Sequence, residues 1–199
     1  MKKLVQTLFF LTLFLPFVHA QEDAKDKARR GFINEFLTYY QGAYEREDIN
    51  YIESFFSANS LIITETKQLS KCGAEMAPNT TKKRPYKLIV EDKKTYIKRL
   101  KKIFAANQKI KLNIPQESLY VHHHPKYGDI YGVSFLQMWI DSHNGSNIED
   151  DMLGYIFLMI DFKKDENRPT IHVRTWQPKS NITKRTDKYN LMDFKIYDY

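Results

Sequence analysis

Apolar residues recur at two spacings along this chain, and the change of spacing divides it. From Ala24 to Tyr44 the spacing is helical. Phe32, Phe36 and Tyr40 stand four apart, with Ile33 and Leu37 one step on, which places them on one face of an amphipathic helix. Asp48 stands where an N-cap is needed, since its carboxylate can accept from a free amide of the next turn. Ile49, Ile52, Phe55 and Phe56 mark the buried side of a short second helix. Leu61–Thr64 is short and β-branched and predicts a strand, as does Tyr86–Val90. Asp92 predicts the cap of a third helix with a stripe of Tyr96, Leu100, Ile103 and Phe104. Beyond it the period falls to two. Ile110, Leu112 and Ile114 alternate with Lys109, Lys111 and Asn113, and strands follow over 119–123, 130–141, 152–162 and 170–177. Helices first, then a run of antiparallel strands on short loops, predict an α+β domain with helices packed on one face of a curved antiparallel sheet. Residues 66–84 are polar, carry Gly73 and Pro78, and predict a long surface loop. Residues 179–199 form a polar, aromatic tail with no clear period.

The first residues follow another pattern. Lys2 and Lys3 precede an apolar run, Leu4–Val18, and Val18-His19-Ala20 closes it. A basic start, an apolar core and small or modest residues before the cut are the signature of a secretory signal peptide, 1–20, cleaved after Ala20. The core is shorter than the roughly 20 apolar residues a spanning helix needs. The mature chain is therefore expected to begin at Gln21 and to work outside the cytoplasm, in the periplasm or fully secreted. This alters how charge and cysteine are read. The net charge of +7 includes Lys2 and Lys3, so the mature chain carries +5. Lys93, Lys94, Lys98, Arg99, Lys101 and Lys102 cluster in the third helix. They are open to two readings: attraction to an acidic envelope partner, or the solvated face of a helix. Nucleic acid is not an expected partner, because the chain carries no recognisable binding module. Cys72 is the single cysteine, so no internal disulfide can form and the core must hold the fold in an oxidising compartment.

The element pattern resembles the nuclear transport factor 2-like, or SnoaL-like, superfamily over about residues 30–178. The resemblance rests on the first helix with Phe32, Phe36 and Tyr40, the short helix Asp48–Ile52, the strand Leu61–Ile63, and the long last strands. These carry Tyr131-Gly132-Val133, Gly154-Tyr155-Ile156-Phe157 and Ile171–Pro178, and they resemble uncharacterised exported bacterial members. It implies a domain over 21–178, with the 66–84 loop as an insertion, in which a sheet wraps N-terminal helices into a cystatin-like cone with an open pocket. It also implies a homodimer through the sheet. The superfamily hosts isomerases, dehydratases, hydrolases and pure binding modules, so the fold does not name a function.

Alternate residues of a strand share a face. His172, Arg174 and Trp176 form one such set, Tyr155, Phe157, Met159 and Asp161 another, and Tyr131, Val133, Phe135, Gln137 and Trp139 a third. Tyr131, Gln137, Trp139, Asp161, His172, Arg174 and Trp176 are the candidate ligand-binding residues, because apolar walls with a few polar groups are what a small-molecule site presents. Asp161 and His172 are the candidates for an acid–base pair. The alternative places His172 and Arg174 on the solvent face, or pairs Arg174 with Asp161 structurally. His122-His123-His124 offers two imidazoles on one strand face, but no spacing motif supplies a third ligand, so no metal site is expected. Phosphate loops, nucleophile elbows and paired-cysteine motifs are absent from the sequence, and no cofactor is expected. The expected function is an exported, non-catalytic binding or interaction domain with a cone pocket for a small ligand or partner. The alternative is an isomerase, dehydratase or hydrolase using the Asp/His pair in the same pocket.

Overall fold

A computed structural model of the chain describes residues 2–67, 86–106, 109–141, 152–182 and 184–194, with side chains from Ala24 on except at 67, 86 and 141. Most of the 66–84 loop, with Cys72, lies outside the described residues. The chain divides into two compact units, Met1–Tyr40 and Gln41–Tyr199.

Helix α1 (Lys2–Glu45) runs through the first unit and ends in the second. Within the first unit the apolar stripe forms as its spacing predicts. Ile33, Phe36, Leu37 and Tyr40 are buried, and Phe36 stands between Phe32 and Tyr40 at ring separations of 6.5 and 6.2 Å. Among the described residues no helix is long and apolar enough to cross a membrane.

In the second unit α1 ends where Glu47 takes a left-handed φ of 58°. The Glu47 amide donates to the Tyr44 carbonyl and the Asp48 amide to that of Ala43, which satisfies carbonyls the helix end would leave unpaired. Asp48 caps α2 (Ile49–Ser54), accepting from the Tyr51 amide at 3.0 Å. Asp92 likewise caps α3 (Lys93–Ala106), accepting from Thr95 at 2.7 Å. Tyr96, Ile97, Leu100 and Phe104 form the buried stripe of α3.

The strands are β1 (Phe56–Lys67), β2 (Tyr86–Asp92), β3 (Ile110–Asn113), β4 (Tyr120–His123), β5 (Ile130–Asp141), β6 (Leu153–Asp161) and β7 (Thr170–Pro178). They form one curved, unclosed sheet in the order β2-β1-β7-β6-β5-β3, with β4 also on β5. The fold is α+β, as expected. One pairing differs from the antiparallel expectation: β1 lies parallel to β7. Alternation reports which residues share a face, and it is the same for either strand direction. Pairing the first strand with the last is a long-range choice that no local pattern records.

Both faces of the central strands are covered. Residues 156–160 of β6 are buried without a break, whereas a strand with one wet face alternates. Helix α3 lies on one face, here called inner. On the other face the tail, expected to be irregular, folds into short 3-10 turns at Lys179–Asn181, Arg185–Asp187 and Leu191–Asp193. Leu191 joins Ile130, Phe157, Met159 and Val173 in a second core, with Tyr189 and Phe194 packed against it.

Candidate functional site

Cross-strand partners share a face, so the register assigns every candidate residue to a side. Val133, Leu158, Arg174 and Ile62 form one row, and Phe135, Ile156, Trp176 and Thr64 the next. These rows face the helices. The Arg174 guanidinium stands 5.3 Å from the centroid of the Tyr96 ring of α3, and Tyr44 meets Trp139 edge-on at 6.1 Å. Tyr131, Gln137, Trp139, Arg174 and Trp176 therefore lie on the inner face. Arg174 is 6% exposed, and the aromatic ring beneath it supplies a cation–π contact in place of water. The Tyr44 and Tyr96 hydroxyls stand 2.6 Å apart. Among the described residues the buried Gln137 Oε1 and Thr64 Oγ1 have no hydrogen-bond partner.

Asp161 and His172 lie on the outer face and do not meet Arg174. The expected sharing of a face by His172, Arg174 and Trp176 fails at one point, and its cause is a β-bulge. Met159 pairs with Val173, but the next β6 residue, Ile160, pairs with Ile171. His172 is the extra residue, so the alternation of β7 slips there. Its Nε2 stands 3.0 Å from Asp161 Oδ2, and both side chains are largely covered. Burial by itself would raise the Asp161 carboxyl. The bonds from His172 and from the Lys163 amide outweigh it and hold the group below the ordinary carboxylate value.

The histidine run shapes a turn. His123 stacks on Tyr131 at 4.9 Å, and its Nε2 stands 2.9 Å from the Gly128 carbonyl. His124 is buried, and its Nδ1 accepts from the Lys126 and Tyr127 amides. Burial lowers its pKa, with His123 and Lys126 adding to the effect. Among the described residues no group of three or more His, Cys, Asp or Glu is placed to hold a metal ion.

An open groove of about 690 Å³ lies on the outer face, between β4 and the C-terminal turns. Leu119, Tyr120, Tyr155, Phe157 and Leu191 give it aromatic and apolar surface, with the hydroxyl of Ser134 among them, and the volume falls in the range of small-molecule sites. Two cations border it. Lys188 Nζ stands 3.4 Å from the Tyr155 ring centroid, and the Arg185 guanidinium 5.0 Å from that of Tyr120. Neither Asp161 nor His172 lines it.

The far wall is the tail, and polar bonds tie it to the sheet. Gln177 of β7 donates to Glu65 Oε1 at 3.1 Å and to the Asp187 carbonyl at 3.0 Å, and accepts from the Tyr189 amide at 3.0 Å. Asn181 donates to Glu65 Oε2 at 2.9 Å. Burial pushes the Tyr189 phenol up to about 12, and the Glu65 carboxylate it bonds adds to the shift. Phe194 stacks on Phe157 at 5.5 Å with the rings 9° from parallel. Leu191 settles over Gly132, where a Cβ would stand 2.6 Å from Leu191 Cγ and 3.0 Å from the Phe157 ring. The sequence reading missed this groove, because it depends on an aperiodic tail folding back. One signal was available: Gly132 interrupts a long strand, and a glycine there marks a close approach.

No family model and no curated protein matches the chain in sequence. Solved structures do match in fold. A candidate scytalone dehydratase from Novosphingobium aromaticivorans is 11% identical, with a TM-score of 0.53, over 77% of this chain and 85% of that one. The beta subunit of a candidate aromatic-ring-hydroxylating dioxygenase from the same organism is 13% identical, with a TM-score of 0.50, over 72% and 84%. Bd1075 of Bdellovibrio bacteriovorus is 16% identical, with a TM-score of 0.50, over 75% of this chain. The chain spans 40% of the length of Bd1075. The chain shares its fold with these proteins. At these identities the likeness describes the fold and leaves the activity to the site.

Proposed function

We propose that the protein is an exported binding domain that holds a small ligand in the groove between the sheet and its own C-terminal turns. The observation that carries this reading is the groove: an aromatic and apolar surface on a rigid sheet, closed on one side by a tail tied down through Gln177 and Gly132. The signal-peptide pattern of residues 1–20 supports the exported part. On the inner face Tyr44, Tyr96, Gln137 and Arg174 are all buried, which moves the expected ligand from the cone interior to the outer groove. A ligand-observed NMR screen with a chemically mixed fragment set tests the reading. Fragments should bind the wild-type chain and lose binding in Ser134→Trp, which fills the groove floor. Binding unchanged by that substitution, in a variant that still melts cooperatively, contradicts the reading.

The Asp161–His172 bond supports a second reading, an acid–base enzyme. It is the weaker of the two, because the pair lies apart from both the groove and Arg174. A turnover found with any substrate of the isomerase or hydrolase type and abolished by Asp161→Asn would favour it.

A further inference from the structure

We propose that the ligand of the outer groove is a small organic anion, an apolar or aromatic body carrying one acidic headgroup. This rests on the groove being the binding site and adds the chemical class. Arg185 and Lys188 both border the groove, and among the described residues no carboxylate pairs with either. Each lies against a tyrosine ring instead. A ring face attracts a cation but leaves its N–H donors unsatisfied. Other cations of this chain do find acids: Arg99 reaches Glu91 at 2.6 Å, and Arg30 reaches Asp26 at 2.7 Å. Glu117 is the one acidic residue among those described along the groove, against these two cations.

Geometry adds to the charge argument. Arg185 and Lys188 are three residues apart on one tight turn, and Asp187 between them is already engaged: its Oδ2 accepts from the Lys184 amide and its carbonyl from Gln177. The turn is therefore held while its two cations stay available. Below them Tyr120, Tyr155 and Phe157 offer ring surface for an apolar body. An anion that bridges Arg185 and Lys188 would replace water with charge-assisted hydrogen bonds, the stronger kind. Its body would cover the tyrosine rings that the two cations now share with solvent.

A matched pair of dyes tests this in the mature chain: anilinonaphthalene sulfonate, which is anionic, and its uncharged parent phenylnaphthylamine. The sulfonate should bind at least about tenfold more tightly, since one charge-assisted contact is worth that much or more. The preference should shrink as salt rises and vanish in Arg185→Gln/Lys188→Gln, provided the variant still melts cooperatively. Equal affinity for the two dyes, or a preference that survives the double substitution, overturns the anion class while leaving the groove as the site. Binding of either dye that Ser134→Trp leaves intact overturns the groove itself. Binding of neither dye overturns the anion class, and the mixed fragment screen then decides the site separately.

Discussion

Gly132 shows how much one missing carbon can decide. It is the third residue of β5, opposite Met159 on one side and His122 on the other, where a side chain would ordinarily strengthen the sheet. Its vacancy is the seat of Leu191. Gly132→Ala puts a Cβ inside the contact distance of both Leu191 and Phe157, so the tail must lift or the ring must turn. Overpacking of this kind costs about 1–3 kcal/mol. Urea unfolding should show a loss in that range, and the Phe194 ring resonances should move with it. His172 is the second residue with an outsized effect. As the extra residue of a bulge it turns from the inner face toward Asp161. The composition of β7 named His172, Arg174 and Trp176 as a set. The bulge, which alternation cannot reveal, split the set.

At the scale of elements, the tail and β7 act as a unit through Gln177. Its amide donates two bonds and accepts one, a set that a carboxylate of the same size could not make. Gln177→Leu leaves the Asp187 carbonyl and the Tyr189 amide without these partners, each a loss of about 1 kcal/mol or more where water is excluded. The expected result is a tail that detaches before the sheet unfolds. Limited proteolysis should cut after Lys184, Arg185 or Lys188 in the variant, under conditions where the wild-type chain stays whole. The basic helix reads differently at this scale. Lys94, Lys98, Lys101 and Lys102 are exposed, while Tyr96, Leu100 and Phe104 are buried, so α3 is an amphipathic helix with a solvated basic face. The outer faces of the strands that a sheet-to-sheet dimer would use are the ones Leu191, Tyr189 and Phe194 cover. A dimer of that kind requires the tail to move.

For the molecule as a whole, two titrations bound the stability. Tyr189 ionises near pH 10 when unfolded and near 12 when folded. A raised pKa favours the protonated phenol in the fold, so the stability it contributes is present below pH 10 and is lost as pH rises from 10 to 12. Asp161 runs the other way. Its folded pKa is lowered, so its contribution is present above the ordinary carboxylate range and is lost as pH falls through the folded value. Denaturation midpoints measured against pH should fall at both ends, and Tyr189→Phe should remove the decline attributed to the phenol between 10 and 12. Export is tested at the same scale. Mass spectrometry of the chain recovered from the medium or the periplasm should find Gln21 as the first residue, and recovery of the uncut chain in the cytoplasm would contradict it.

What the sequence determined by itself is local. Side-chain spacing set the helices and most strands, because a helix stripe and a strand alternation are written in successive residues. Asp48 and Asp92 announced their caps, because a cap is satisfied within one turn. The order of elements was enough for an α+β fold. What the tertiary structure decided is every relation that joins distant residues: the parallel pairing of β1 with β7, the bulge at His172, and the side of the sheet the helices cover. The largest such decision is the return of the tail across the outer face. Its turns carry no period, and they are held by Gln177, Glu65 and the Gly132 notch, partners many residues away. A contact of that kind depends on loop closure and packing, neither of which leaves a periodic trace. The candidate groove is made of that contact, so its residues were legible one by one and its existence was not.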